Sequence, residues 1–261
     1  MPSLALVIDL AESTLLPIAA VYLFSHADAT ERRSPVVYYG FALVVWLFSN
    51  FYWTLHEFIR HEAVYPFSAI DIASAGFDLL LGSSLAVMID GRNKVSVPVL
   101  VGSGVFGLLQ GALWILWNSD WLKDTIGALT IWYLAYYLCV VMLRCRLLSK
   151  GEWTVLIASS LITGFLQVWS YLTKDSYGST VDQCCGVLYF AVSFLLVVKL
   201  ARVWSDDTAP QKAVVCLVAN VLWTLCAMYM SFEPRYRILQ GLVVVLMALA
   251  ARAFVRMVER T

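Results

Sequence analysis

FSAIDIASAGFDLLLGSSLAVMI, residues 67–89, is long enough and apolar enough to cross a lipid bilayer, yet it carries Asp71 and Asp78. A spanning helix needs about 20 mostly apolar residues. The stretch therefore reads as a membrane span with two carboxylates, at about 2.5–3.5 kcal/mol each on insertion scales. Asp71 follows Pro66 and Ser68 at the start of the helix, where a negative charge suits the helix dipole. Asp78 lies seven residues on, on the same face, about 16 Å below the start of the segment.

The rest of the chain has the same character. Of its 261 residues 61% are hydrophobic and 14% charged, against about 25% charged in an ordinary soluble protein. Mean hydropathy is +0.78. So few charges cannot cover a water-facing surface. Formal net charge is zero and no basic tract stands out, which argues against a nucleic-acid partner. The first apolar stretch holds Asp9 and Glu12 without Lys or Arg, so it reads as a retained span rather than a signal peptide.

Nine spans are expected, at 3–24, 36–59, 67–89, 97–117, 123–143, 153–173, 181–203, 212–232 and 237–257. Breakers separate them, among them Ser34-Pro35, Tyr65-Pro66, Gly91-Arg92-Asn93, Ala209-Pro210 and Glu233-Pro234. The expected fold is all-α, a polytopic transmembrane bundle built from helical hairpins, in a single integral membrane domain over 1–261. Alternate connectors and the C-terminus hold Arg32, Arg33, Arg92, Lys94, Arg144, Arg146, Lys150, Lys199, Arg202, Lys212, Arg252, Arg256 and Arg260. The other connectors hold Arg60, Lys123, Lys174, Arg235 and Arg237, so the split is 13 against 5. The positive-inside rule then puts the C-terminus in the cytoplasm and the N-terminus in the lumen or outside the cell. In a eukaryotic cell the expected membrane is the endoplasmic reticulum.

In that orientation acidic residues gather toward the outer side. Asp9 and Glu12 share a face of the first span, His56 and Glu57 end the second, and Asp71 and Asp78 descend in the third. Trp114, Trp117, Trp121, Trp132, Trp169 and Trp223 fall in outer halves too. Tryptophans at helix ends also form the ordinary interfacial belt, and buried acids also bond neighbouring helices. Carboxyl groups sheltered from bulk water beside aromatic faces that stabilise cations are the two parts that acid-initiated cyclisation of an isoprenoid needs.

Other chemistries fit poorly. His56 and His61 are five residues apart, about 140° round a helix, where a zincin needs a spacing of four. No metal and no cofactor is expected. The six cysteines follow neither a disulfide framework nor a zinc pattern. Gly102-Ser103-Gly104 reads as helix packing.

Asn50-Phe51-Tyr52-Trp53-Thr54-Leu55 is echoed by Asn220-Val221-Leu222-Trp223-Thr224-Leu225, which suggests tandem hairpins. At Asn50-x-x-Trp53 the chain resembles the small integral membrane terpene cyclases of fungal meroterpenoid and indole-diterpene pathways. The resemblance covers the hydropathy plan and this motif. It implies protonation of a terminal epoxide or olefin on a prenylated, lipophilic substrate in secondary-metabolite biosynthesis, without metal. It carries over only Asn50 and Trp53, because Thr54 stands where that family has Glu, and the late spans offer only Glu233 as an acid. From the residues themselves, Glu57, Asp71 and Asp78 are the candidate catalytic acids. Glu12, Asn50, Trp53, Trp114, Trp169, Asn220 and Trp223 are the candidate substrate-binding residues. A small-molecule or proton-coupled transporter and a membrane sensor or scaffold are the alternatives.

The charge split predicts topology directly. Glycosylation acceptors inserted near residue 63 or 119 are expected to be modified in a microsomal translation assay, and acceptors near 92 or 147 to stay unmodified. The reverse pattern would invert the orientation.

Overall fold

The computed structural model describes residues 4–29, 33–60, 68–89, 96–118, 121–144 and 146–173, with 245, 251, 252 and 255. Among the described residues the regular structure is entirely helical. The elements are α1 (Leu4–Ala27), α2 (Arg33–Thr54) running on into a π-helical turn (Leu55–Arg60), α3 (Ala69–Met88), α4 (Val97–Asn118), α5 (Trp121–Arg144) and α6 (Lys150–Thr173). Among the described residues four helical segments are long and apolar enough to cross a membrane: Leu6–Ala27, Arg33–Thr54, Ala69–Met88 and Trp121–Arg144. The expected spans at 181–203 and 212–232 lie outside the described residues, as does most of 237–257.

Local chemistry sets the helix ends. Ser68 caps α3: its hydroxyl oxygen accepts from the Ile70 backbone N–H, while its own backbone N–H donates to Asp71 Oδ2 at 2.7 Å, a capping box. A similar pair starts α6, where the Ser149 N–H donates to Glu152 Oε2 at 2.6 Å and the Glu152 N–H to Ser149 Oγ at 3.4 Å. At the end of α5 the Leu147 N–H reaches Met142 O, and the Arg146 N–H reaches Leu143 O. Those bonds form a Schellman motif, with Arg146 at φ 48° in the left-handed position that glycine usually takes.

Contact registers give the direction of each helix pair. Glu12 meets Trp46 and Phe24 meets Phe41, so α1 and α2 are antiparallel. Trp46 meets Phe77 and the Pro35 carbonyl meets Ser84, so α2 and α3 are antiparallel too. Asp71 pairs with Lys123, Asp78 with Thr130 and Ser83 with Tyr133, so α3 and α5 run parallel. On α4, Gly104 faces Trp132 and Gly111 faces Ala128, so α4 returns antiparallel to α5. Helices α1 to α5 thus alternate in direction, as a chain threading back and forth through a bilayer must.

The core lies among α1, α2, α3 and α5, where Leu16, Leu23, Tyr39, Leu43, Phe77, Leu81, Leu85 and Leu134 are buried together with Ala251 and Val255. Large apolar side chains such as Val21, Phe48 and Leu108 remain exposed on the outer faces, an arrangement that suits lipid rather than water. On α4, Gly104, Gly107 and Gly111 let the backbone approach α5 closely. A Cβ at Gly107 would stand 2.8 Å from Trp132 Cβ, and one at Gly111 would stand 2.6 Å from Ala128 Cβ. Both obstacles are fixed to the α5 backbone and cannot swing aside. Such small-residue seams are a common way for helices to associate in membranes.

Gly107→Leu is therefore expected to destabilise the protein by about 1–3 kcal/mol through overpacking. Gly102→Leu, where nothing among the described residues stands within 4 Å of the added Cβ, is expected to be nearly neutral. Thermal unfolding of the two variants in detergent checks the contrast.

Candidate functional site: a buried polar layer

Four helices contribute side chains to one level of the bundle. Glu12 on α1 is 2% exposed. It accepts a hydrogen bond of 2.9 Å from Trp46 Nε1 on α2. The Trp46 ring meets Phe77 of α3 edge to face, with centroids 4.7 Å apart and planes at 74°. Asp78, next to Phe77, is itself buried, and its Oδ2 lies 3.4 Å from the Thr130 hydroxyl of α5. That hydroxyl also lies 3.0 Å from the Gly127 carbonyl. One hydroxyl hydrogen serves one of these acceptors fully at a time, so the Thr130 bond holds Asp78 only loosely. Asp78 Oδ1 has no hydrogen-bond partner among the described residues.

One turn nearer the bundle end lie Asp9, three residues before Glu12, and Asn50, four residues past Trp46. Because α1 and α2 are antiparallel, the two steps lead to the same level. Asp9 is 5% exposed, and the Asn50 Nδ2 is buried without a hydrogen-bond partner among the described residues. Beyond Asn50 the helix widens into the π-helical turn Leu55–Arg60. Such turns often mark functional positions. His56 in this turn is buried and packs on the Tyr52 ring at 4.5 Å. Its Nδ1 has no partner among the described residues.

The acids expected from the sequence take different places. Asp78 lies in the layer. Asp71 lies at the bundle end, committed to the α3 capping box and to an ion pair of 3.2 Å with Lys123 Nζ. The Lys123 side chain is 43% exposed, so the pair is worth little energetically. Glu57 sits in the π-helical turn beside His56, and its side chain lies outside the described residues, as does that of Trp114 on α4.

Glu12 and Asn50 are brought to the inner face of the bundle beside Trp46. Trp53 is 36% exposed and Trp169, on α6, is 56% exposed, with the Trp169 ring stacked on Phe165 at 6.2 Å. Asn220 and Trp223 lie outside the described residues. Among the described residues no group of three or more His, Cys, Asp or Glu side chains is arranged to hold a metal ion.

Sequence reasoning passed over Trp46, Phe77 and Thr130. Trp46 was accessible, since it stands four residues before Asn50 on the same helical face. Thr130 was not, because its meeting with Asp78 depends on α3 and α5 being neighbours across an intervening helix. Trp132, expected among the outer aromatics, has a packing role: its Nε1 donates to Ser103 Oγ at 3.2 Å and joins α5 to α4. Comparison of the chain with protein-family models, with curated proteins and with solved structures finds no match in any of the three.

Trp46→Phe keeps the aromatic ring and removes the donor to Glu12. The expected cost is about 1–3 kcal/mol for leaving a buried acceptor short of its partner. In a Glu12→Leu background the same substitution is expected to cost clearly less. A double-mutant cycle on unfolding in detergent checks the coupling.

Proposed function

We propose that the protein is a membrane-bound cyclase that initiates ring closure of a prenylated, lipophilic substrate by protonating an epoxide or olefin, with Asp78 as the proton donor. The observation that carries this reading is the Asp78 carboxyl: buried in an apolar bundle, loosely held on one oxygen by Thr130, and next in sequence to Phe77, whose ring packs on Trp46. Asp78 delivers its proton to the epoxide oxygen or to an alkene carbon. The C–O bond or the π bond breaks, and a carbocation is left. A neighbouring alkene attacks that cation and forms a ring C–C bond, while the aromatic faces stabilise the moving positive charge. Loss of a proton from the last cation returns one proton for the one delivered. The net reaction is an isomerisation and needs no metal or cofactor.

In this reading Asp71 holds the start of α3 in place and Glu12 orients Trp46. Substrate and membrane lipid are the partners. The nine-span plan, the lumenal N-terminus, the cytoplasmic C-terminus and an endoplasmic reticulum location in a eukaryotic cell belong to the same proposal. The charge asymmetry of the connectors supports them.

A proton-coupled carrier is the second reading. It is favoured by Pro17 within α1 and by the π-helical turn that continues α2. Both interrupt regular helix bonding in the two helices that bear Asp9, Glu12 and Asn50, and carriers commonly build their sites on interrupted helices.

Microsomes containing the protein are expected to convert an epoxyfarnesyl-aryl substrate to a cyclic isomer. Asp78→Asn is expected to lower turnover by about 10²-fold or more, the usual scale for removing a general acid, and Asp71→Asn to retain most of it. Turnover unchanged in Asp78→Asn would overturn the assignment. Uptake into proteoliposomes that an uncoupler abolishes, with no product formed, would establish the carrier instead.

A further inference from the structure

The Asp9–Asn50 level is a second polar site, one turn from the Glu12–Trp46–Asp78 layer and unused by the chemistry above. Asn50 follows Trp46 by four residues, so both share the α2 face that looks into the core. Asp9 precedes Glu12 by three and belongs to the buried stripe of α1, with Ile8, Leu16 and Leu23. Ser74 precedes Asp78 by four and occupies the corresponding position on α3. The core-facing stripes of three helices therefore each carry a polar residue at this level, in segments otherwise apolar.

Buried amide groups in folded proteins are almost always hydrogen-bonded, and leaving one unmet is costly. The Asn50 Nδ2 is buried without a hydrogen-bond partner among the described residues, although Asp9 lies at its own level across the α1–α2 interface. A carboxylate offers about four acceptor positions, so the contacts Asp9 already makes leave it able to accept more. A donor on one wall and an acceptor on the other complement a hydroxyl group, which takes a hydrogen bond on its oxygen and gives one from its hydrogen. Trp46, one turn before Asn50, packs on Phe77 to one side of this pair, and the π-helical turn with His56 follows on the other.

We infer that Asn50 and Asp9 form a subsite for the hydroxyl group of an otherwise apolar ligand, a prenyl alcohol or similarly hydroxylated lipid, whose hydrocarbon part lies toward Trp46 and Phe77. This inference rests on the proposed reading that the protein takes a lipophilic substrate, and not on cyclisation taking place at this level. Asn50 donates to the hydroxyl oxygen, and the hydroxyl hydrogen bonds to Asp9. A hydrocarbon of the same skeleton would leave the amide unmet.

The test uses the full-length protein in phosphatidylcholine nanodiscs, with farnesol and its saturated hydrocarbon counterpart farnesane as probes. Quenching of intrinsic tryptophan fluorescence reads binding. Farnesol is expected to bind at least tenfold more tightly than farnesane to the unaltered protein. Asn50→Leu is expected to bring the two within about twofold, the donor having been removed. Asn50→Ala serves the same purpose should the leucine variant fail to fold, and circular dichroism with gel filtration establishes folding. Equal binding of the two probes by the unaltered protein overturns the inference, as does no binding of either, or a preference that survives in the folded Asn50 variant. Absence of cyclic product with the alcohol preference intact would sink the cyclase reading and leave this subsite standing.

Discussion

The hydrogen bond from Trp46 to Glu12 is the interaction on which the arrangement of the first three helices depends. A carboxyl group taken out of water in an apolar bundle must find a donor, and the Trp46 indole N–H is one. Meeting that need places α2 against α1 at a single register. The same indole ring meets Phe77 at its edge, so the bond also sets how α3 lies on α2. A shift of either helix by one residue would leave a buried carboxylate without its indole and an aromatic pair without its partner. The polar contact pins the register of α1 on α2, as the Ser84–Pro35 contact pins that of α3 on α2, in a bundle whose core is otherwise mostly apolar.

The second constraint is close approach. α3 and α5 run parallel and are not consecutive, so only packing brings them together. Gly82 of α3 presents no side chain to Tyr133, whose ring atoms stand about 2.5 Å from where a Cβ would be. Next to it Ser83 meets the Tyr133 hydroxyl at 3.2 Å. Seven residues separate Asp71 from Asp78, and seven separate Lys123 from Thr130. The two pairs therefore repeat along one seam, one pair near the bundle end and the other in the core. The outer pair is a partly solvated ion pair and the inner one a loose hydroxyl–carboxyl contact. Distance from water along the seam accounts for the different work the two aspartates do.

Much of this was legible in the chain itself. Helical spans follow from runs of apolar residues punctuated by Pro and Gly, because a bilayer leaves the backbone few ways to satisfy its own hydrogen bonds. The capping of α3 follows from Ser68 and Asp71 at their three-residue spacing. The burial of Asp9, Glu12 and Asp78 follows from their position inside apolar segments.

What the sequence could not decide was which of these groups meet. Asp71 starts its helix and Asp78 lies two turns further on the same face, but only the packing brings Lys123 to the one and Thr130 to the other. Trp53 and Trp46 are both tryptophans on α2, one with a motif to recommend it, yet it is Trp46 that turns to Glu12. The identity of each element was local, set by hydropathy and capping over a few turns. The constellation was not, because a buried polar side chain takes its meaning from whichever helix lies opposite, and that choice belongs to the packing of the whole bundle.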